Sequence, residues 1–359
     1  MALEAQVAVL GATGYTGRLV AHALRERGLP LILAGRDRDK LRALADELGG
    51  AAQAVCDLTQ PDTLVPLLRG VRVLVSCAGP FTRLGEPAVA ACVEHGVHYL
   101  DTTGEQPFVR LVYDRYDAPA RARGCALVPS FAFEVALGDA AAALAARALG
   151  PLDELTVTYA VAGFGMSRGT QKSALLIMSG PGWAWQDGQL QPVRPAAEKR
   201  VIALPQPPGP RPALLVPYPE VLTVPRHVET RVCKTYLVGT PRLIALMRLF
   251  IPVAARAGER VRRFLERRIS AGSEGPSAEE RGQTRFTIHV EARGPGGSRV
   301  VDVRGRDPYG LTAHLIAFGA ERARESSYAK AGALAPAQAF DPEAILQAVA
   351  PFGVTVDGA

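Results

Sequence analysis

Three evenly spaced glycines follow a short apolar run near the amino terminus. The run is Val7–Leu10, the glycines are Gly11, Gly14 and Gly17, and an amphipathic pattern starts directly behind them. Between a strand and a helix, such glycines allow a tight turn, close approach of a pyrophosphate, and close packing of the helix on the strand. The spacing predicts a dinucleotide-binding loop, with an ordinary strand–helix turn as the alternative. The residues expected to hold the phosphates are Gly11, Thr13, Gly14, Tyr15, Thr16 and Gly17.

An arginine closes the second apolar run. Arg36 follows Leu31–Ala34, at the position where an NAD-specific site carries an acidic residue for the ribose 2′-hydroxyl. A guanidinium instead offers a planar pair of donors to a 2′-phosphate. Arg38 and Lys40 add positive charge nearby. The pattern favours NADP(H) over NAD(H), and a solvated loop of mixed charges is the alternative.

Polar and small residues follow the third and fourth predicted strands, at the sheet edge that binds ligands in such folds. Asp57 is predicted to accept a hydrogen bond from the adenine amino group, and a turn or helix-capping role is an equal alternative. Small residues after the fourth strand would let the cofactor ribose and nicotinamide approach closely. They are Cys77, Ala78, Gly79 and Pro80, followed by Phe81 as a candidate substrate contact.

No motif identifies the catalytic group. The acid candidates are Asp101, Glu105 and Glu134, and the other candidate substrate contacts are Ser130, Ser167 and Lys172. Helix capping and loop hydrogen bonds are the favoured alternative for Asp101 and Glu105, which follow the fifth strand. No Tyr-x-x-x-Lys pair follows the fifth strand, which argues against the mechanism of short-chain alcohol dehydrogenases.

The cysteines and histidines show no metal-binding pattern. The 5 cysteines are scattered and never form a Cys-x-x-Cys pair, and His95 and His98 have no third ligand nearby. We therefore expect no metal, no disulfide framework and a reducing environment. Cys77 has no adjacent histidine, so a nucleophilic role is disfavoured.

Apolar strand patterns and helical patterns alternate six times over the first 130 or so residues. This alternation predicts a Rossmann-type, doubly wound parallel sheet within an α/β chain. Alternating β segments then follow, which predict a second α+β domain on a mixed or antiparallel sheet. They lie at 155–162, 200–204, 213–216, 227–238, 285–292 and 299–305. The expected boundaries are 1–133, 134–310, and a helical segment 311–359 that packs on the Rossmann domain.

The charge balance permits anionic ligands without requiring nucleic acid. The net charge is +6 over 359 residues, which is modest for this length. The residues before the first strand include Glu4 and no apolar run, so we expect no leader peptide and a cytoplasmic location. No uncharged run is long enough to cross a membrane.

The segment 242–268 reads as one long helix, apolar at first and rich in arginine later, and 271–282 reads as a mobile loop. A basic amphipathic helix can lie on an anionic membrane or receive an acyl carrier. The favoured alternative is a helix that buries its apolar part against a partner subunit or the second domain. A homo-oligomer is expected.

Four segments carry a resemblance to a known family. The sequences at 11–17, 33–36, 77–81 and 99–105 are similar to those of saccharopine dehydrogenase-like oxidoreductases, most of all the trans-acting enoyl reductase branch. The segments 129–131, 167–170, 307–312 and 332–356 resemble that branch as well. The resemblance implies an NADP(H)-binding Rossmann domain, a second domain over its carboxyl edge, and reduction of carbon–carbon double bonds on acyl chains made by polyketide synthases.

Together, these observations predict an NADPH-dependent reductase of an unsaturated acyl substrate, delivered by an acyl carrier or a synthase. The first alternative is an oxidoreductase of imines or C–N bonds, nearer to saccharopine reductase chemistry. The second is a non-catalytic NADP(H)-binding redox sensor. A lysine-derived substrate carries carboxylates and would need an arginine-lined cleft, whereas an acyl substrate needs an apolar one.

Overall fold

The computed structural model describes residues 6–180, 182–205, 209–256 and 259–358, without the side chains at 250–260 and 262–263. The chain divides into two compact units. The first comprises Met1–Thr103, Phe108–Ala136 and Tyr309–Val349. The second comprises Gly104–Pro107, Leu137–Pro308 and Ala350–Ala359.

Strands and helices alternate along the first part of the chain. Val7, Ala8 and Val9 are fully buried, as expected for a parallel strand covered on both faces. The elements are β1 (Gln6–Leu10), α1 (Tyr15–Glu26), β2 (Leu31–Gly35), α2 (Arg38–Glu47), β3 (Ala52–Val55), α3 (Leu64–Leu68), β4 (Val71–Ser76), α4 (Phe81–Leu84), α5 (Glu86–His95), β5 (His98–Asp101), α6 (Gln106–Arg123), β6 (Ala126–Val128) and α7 (Phe133–Ala146).

The later part of the chain is richer in strands. Its elements are β7 (Glu154–Ala162), α8 (Arg168–Ser179), β8 (Gly182–Gln186), β9 (Gln189–Val193), β10 (Lys199–Ala203), β11 (Pro210–Leu215), α9 (Glu220–Thr223), β12 (Cys233–Val238), α10 (Pro241–Arg256), α11 (Glu259–Ser270), α12 (Ala278–Gln283), β13 (Arg285–Gly294) and β14 (Gly297–Arg306). The chain then forms α13 (Pro308–Arg324), β15 (Gly332–Ala333), α14 (Pro336–Ala339), α15 (Pro342–Val349) and β16 (Thr355–Asp357).

The first unit contains a 7-stranded sheet in the order β15-β6-β5-β4-β1-β2-β3. Its neighbouring strands pair in parallel, which confirms the predicted doubly wound sheet. The direction of winding reverses between β1 and β4, and ligands bind at such a switch point, outside the carboxyl ends of the strands. Strand β15 was not predicted, because two residues are too few to show a periodicity.

The second unit contains a 9-stranded sheet with the main order β10-β11-β12-β7-β13-β14-β16. Strand β8 pairs with β12, and β9 pairs with β8. Strands β12 and β7 run parallel while β7 and β13 run antiparallel, so the sheet is mixed as predicted. Leu155, Val157 and Tyr159 point to one face of β7 and Thr156 and Thr158 to the other, and all five are buried, so this central strand has no exposed face over these residues.

Two element predictions in the second unit were wrong. The strand predicted at 227–238 begins only at Cys233, because a 3-10 turn, Val224–Arg226, precedes it. The helical pattern at 242–268 corresponds to α10 and α11, and residues 257 and 258 between them lie outside the described residues. The loop predicted at 271–282 contains most of α12, in which Ser277 and Glu280 form a capping box. That motif was present in the sequence and was overlooked.

Candidate functional site

The glycine loop joins β1 to α1 at the centre of the parallel sheet. Gly11 has a φ of +77°, and the N–H of Cys77 donates to the carbonyl of Leu10 at 2.8 Å. A Cβ on Gly11 would lie 3.1 Å from the nitrogen of Ala78, and one on Gly17 would lie 2.1 Å from the carbonyl oxygen of Gly11. Backbone therefore occupies the space that side chains would need at both positions.

The loop has the features of a phosphate cradle. Gly14 is exposed and begins α1 without a side-chain cap hydrogen bond, and the first N–H groups of a helix have no partners within the helix. These donors and the helix dipole attract a phosphate group. Thr13 and Thr16 are half-buried hydroxyl residues of the same loop. The residues present thus fit a dinucleotide pyrophosphate.

An aromatic pair borders the loop. The ring of Tyr15 contacts the ring of Tyr309 edge to face, with 5.0 Å between centroids. Tyr309 is buried at the start of α13, where Thr312 also accepts a hydrogen bond from the N–H of Phe133 at 3.1 Å. Tyr309 was not a predicted site residue. The available signal was the segment 307–312, which the family resemblance included without assigning it to the cofactor loop.

Arg36 lies exposed at the end of β2. Its guanidinium makes no hydrogen bond or ion pair within the described ranges. The pKa of Asp57 is lowered mainly by Thr59, whose N–H and hydroxyl both donate to the Asp57 carboxylate at 2.9 Å, and to a smaller extent by the positive charge of Arg36. The structure thus gives Asp57 a turn contact, while the adenine contact stays a prediction. Arg36 is accessible to a 2′-phosphate, and this role also stays a prediction.

The residues after β4 divide between the loop and the core. Burial and the negative charge of Asp101 raise the pKa of the Cys77 thiol to about 12, so the thiol stays protonated at neutral pH. Ala78, Gly79 and Pro80 continue the loop toward α4. Phe81 is 5% exposed and packs on Phe108, with 5.7 Å between centroids. This packing in the core is enough to explain Phe81, and its contact with a substrate stays a prediction.

Asp101 connects the ends of two strands. Its Oδ1 accepts hydrogen bonds from the N–H groups of Thr103 and Ser130, both at 2.9 Å. Asp101 and Ser130 are fully buried. The backbone of Ser130 has a φ of +62°, which residues other than glycine rarely adopt. The carboxylate therefore holds a strained residue after β6 against the end of β5. This geometry supports a positioning role for Asp101.

Replacement of Asp101 by alanine is expected to lower the free energy of unfolding by about 2–4 kcal/mol, because two buried amide donors lose their acceptor. Chemical denaturation measures this loss. Asp101→Asn keeps one carbonyl oxygen at the same place, so its loss of unfolding free energy should be less than half that of the alanine variant. Equal stability of the alanine variant and the wild-type protein would refute the positioning role.

Glu134 lies in the first turn of α7, just beyond the end of β6. Burial raises the pKa of its half-buried carboxyl from 4.5 to about 7, although a backbone hydrogen bond opposes the shift. Such a group holds a proton in part of the molecules at neutral pH, which suits a general acid. Among the three acid candidates, Glu134 thus has the pKa that suits proton donation near neutral pH.

Three candidate residues belong to the second unit. Glu105 is 1% exposed and accepts a hydrogen bond from the hydroxyl of Ser173 at 2.7 Å. Ser167 caps α8, since its Oγ accepts from the N–H of Thr170 at 3.2 Å. Lys172 is half-buried one turn further along the same helix and makes no ion pair among the residues described. Lys172 is therefore the most accessible of the three candidates.

Gln106 is an anchor that sequence reasoning missed. Its side chain donates to the carbonyls of Trp183 and Tyr218, at 3.1 and 2.7 Å, and accepts from the N–H of Trp183 at 2.8 Å. These bonds attach β8 to the segment that follows β5. The sequence contained no signal for this role, because the partners are main-chain groups from distant segments.

The structure brings one set of predicted residues together at the carboxyl edge of the parallel sheet. That set comprises the glycine loop, the segment 77–80, Asp101 and Ser130, with Arg36 at the adjacent end of β2. Glu134 follows the next strand end, that of β6. The geometry supports a dinucleotide site flanked by a buried carboxylate and by an acid with a raised pKa.

Comparison with known proteins finds a family match within the first unit. Residues 7–128 match the saccharopine dehydrogenase NADP-binding domain. The match confirms the prediction of NADP(H) as the cofactor class, and it covers the strands from β1 to β6.

Curated relatives match part of the chain. The trans-acting enoyl reductase of Mycobacterium ulcerans is 37% identical over 137 residues, which are 36% of this chain and 33% of the relative. The saccharopine dehydrogenase-like oxidoreductase of Bos taurus is 31% identical over 144 residues, 35% of this chain and 34% of the relative. The matches thus span about a third of the length of these relatives.

A solved structure has the same fold over nearly the whole chain. Apo saccharopine dehydrogenase (L-Glu forming) from Saccharomyces cerevisiae superposes with a TM-score of 0.65, covering 98% of this chain and 99% of its own. The sequence identity is 11%, so this similarity concerns the fold alone.

Proposed function

We propose that this chain, whose residues 7–128 match the saccharopine dehydrogenase NADP-binding domain, is an NADPH-dependent reductase of an enoyl or polyketide-like acyl substrate. The observation that carries the proposal is the glycine cradle at the switch point, with Arg36 at the neighbouring strand end. The relatives named trans-acting enoyl reductases support the substrate class. Bound NADPH supplies a hydride to an electrophilic carbon.

The residues of the chain would divide the remaining tasks. The glycine loop holds the pyrophosphate, Arg36 holds the 2′-phosphate, and Asp101 positions the ends of β5 and β6. Glu134 supplies the proton that completes the reduction, because its raised pKa keeps it partly protonated near neutral pH. We assign cofactor binding to 1–133 and substrate binding to 134–310, with the helices of 311–349 as part of the first domain, whereas 350–359 contains β16 of the second sheet.

The composition of α8 favours an acyl chain over a substrate with several carboxylates. The residues from 171 to 179 are all half-buried, and Leu175 and Leu176 are among them. Lys172 is the only charged residue in that stretch. A saccharopine-like substrate would need several cations, whereas an acyl thioester needs an apolar surface and few polar contacts.

NADPH oxidation by the full chain tests the proposal against its alternatives. We expect turnover with α,β-unsaturated acyl thioesters, presented on pantetheine or on an acyl carrier, and saturation of the double bond detected by mass spectrometry. Turnover only with an imine, formed from an amine and an oxo acid, would support C–N chemistry instead. NADPH binding without turnover on either acceptor class would support a redox sensor.

Glu134→Gln is expected to lower kcat by about 100-fold and to remove the decline in rate above pH 7, because the amide donates no proton. The pKa of Glu134 is higher in the folded chain than its usual 4.5. Protonation of Glu134 therefore stabilises the folded state, fully below pH 4.5, and this stabilisation is lost as the pH rises through about 7. The variant should consequently be more stable than the wild-type protein at pH 8, by about 1–3 kcal/mol.

Glu94→Gln is the matched control, since Glu94 is an exposed glutamate of α5 in the same unit. The control should leave both the pH–rate profile and the stability unchanged. A Glu134→Gln enzyme with the wild-type pH–rate profile would exclude Glu134 as the proton donor.

A further inference from the structure

The positive charge of the chain is concentrated in α10 and α11. Residues 241–270 contain 8 arginines, no lysine and 2 glutamates, so this segment carries a formal charge of +6. The rest of the chain contains 33 basic and 33 acidic residues, and its formal charge is zero. An anionic surface would therefore attract this helix pair specifically.

The same two helices expose large apolar side chains. On α10, Leu243, Leu246 and Leu249 are 47%, 53% and 66% exposed, and they recur every three residues along one side. Ile244 on the opposite side is 2% exposed and packs in a small core with Leu214. Leucines on the free side of a helix that is already anchored are a costly feature unless something covers them.

Helix α11 repeats this arrangement. Val261, Phe264 and Leu265 are 50%, 58% and 38% exposed, and they share one side of the helix. The guanidinium of Arg268 lies 5.8 Å from the centre of the Phe264 ring. An arginine beside an exposed apolar surface can place its charge at a phosphate group while its stem stays on the apolar side chains.

We propose that α10 and α11 bind the surface of an anionic lipid bilayer, with their leucine, valine and phenylalanine side chains in the interfacial region and their arginines at lipid phosphates. Helices with one apolar side and one arginine-rich side lie in the plane of such an interface. None of the described helices is long and apolar enough to span a bilayer. The contact is therefore peripheral.

Charge complementarity distinguishes a membrane from a second copy of the chain. A symmetric dimer through this surface would place the same arginines opposite each other, and their like charges would repel. A bilayer instead offers both an acyl region for six exposed apolar side chains and a continuous layer of negative charge.

Co-sedimentation of the full chain with vesicles tests this inference. The probes are phosphatidylcholine vesicles with and without about 30% phosphatidylglycerol, in about 0.1 M and about 0.5 M salt. We expect binding at least about tenfold tighter to the anionic vesicles, weakened by the higher salt. Since no cofactor or substrate is present, the result is independent of the proposed reductase activity.

Two sets of variants locate the contact. Leu246→Ser with Leu249→Ser removes exposed apolar side chains, and Arg267→Glu with Arg268→Glu reverses exposed charges. Both sets should lose at least about tenfold in vesicle affinity while their affinity for NADPH, which reports folding, stays unchanged.

Matched controls exist for both sets. Val201→Ser removes an apolar side chain that is 66% exposed, like Leu249, and Arg69→Glu with Arg123→Glu reverses two exposed charges elsewhere. Both controls should bind vesicles like the wild-type protein. Equal loss in the controls, or no binding by the wild-type protein, would overturn the inference. So would a dimer by light scattering that the leucine variants dissociate, or binding to an acidic acyl carrier but not to vesicles.

Discussion

A Gly17→Ala variant is expected to bind NADPH at least about tenfold more weakly and to lose about 3 kcal/mol of unfolding free energy. The added Cβ would lie 2.1 Å from the carbonyl oxygen and 2.9 Å from the carbonyl carbon of Gly11. Both atoms belong to the backbone, so no side chain can rotate away and α1 must move off the loop. Titration calorimetry and urea denaturation measure the two effects.

Gly282→Ala provides the control for the methyl group itself. Gly282 also lies in a helix, α12, and a Cβ there would meet no atom within 4 Å. This variant should bind NADPH normally and lose no stability, since alanine is the better helix former. If Gly17→Ala bound NADPH as tightly as the wild-type protein, the glycine loop would not be the phosphate cradle.

Removal of the Arg36 guanidinium is expected to change the choice of cofactor. Arg36→Ala should weaken NADPH binding by about 10–100-fold, which corresponds to the loss of charge-assisted hydrogen bonds worth about 1.5–3 kcal/mol. NADH lacks the 2′-phosphate, so its affinity should change by less than about threefold. Fluorescence titration with the two cofactors measures the ratio of affinities.

Arg42→Ala separates this local effect from a change in net charge. Arg42 is an exposed arginine of α2, the helix that follows Arg36 in the chain. Its removal should leave the ratio of NADPH to NADH affinity unchanged. An equal ratio in the Arg36 variant and the wild-type protein would show that another residue selects the cofactor, and the assignment of Arg36 would then be wrong.

The cofactor unit was largely predictable because its signals are local. A buried parallel strand is a short apolar run, a helix is an amphipathic repeat, and the turn between them needs glycine. Six strands and the loop at Gly11–Gly17 were recognised in this way. The seventh strand, β15, was missed, since two residues next to β6 acquire strand geometry only from their neighbour.

The second unit was less predictable because its contacts join distant segments. The strand β8 and its partner β9 were not predicted, and β8 is held partly by Gln106 from a different part of the chain. The overlooked capping box at Ser277 is a different case. There the local signal existed, but the surrounding small and polar residues favoured a loop.

By itself, the sequence determined the class of the first unit, the position of its glycine loop and the favoured cofactor, because backbone sterics and strand periodicity act over a few residues. Only the tertiary structure decided which side chains meet. It connected Asp101 to Ser130 and Tyr15 to Tyr309, raised the pKa of Glu134 to about 7, and left the leucines of α10 exposed. These properties depend on burial and on contacts between distant segments, and neither is encoded in a local pattern of residues.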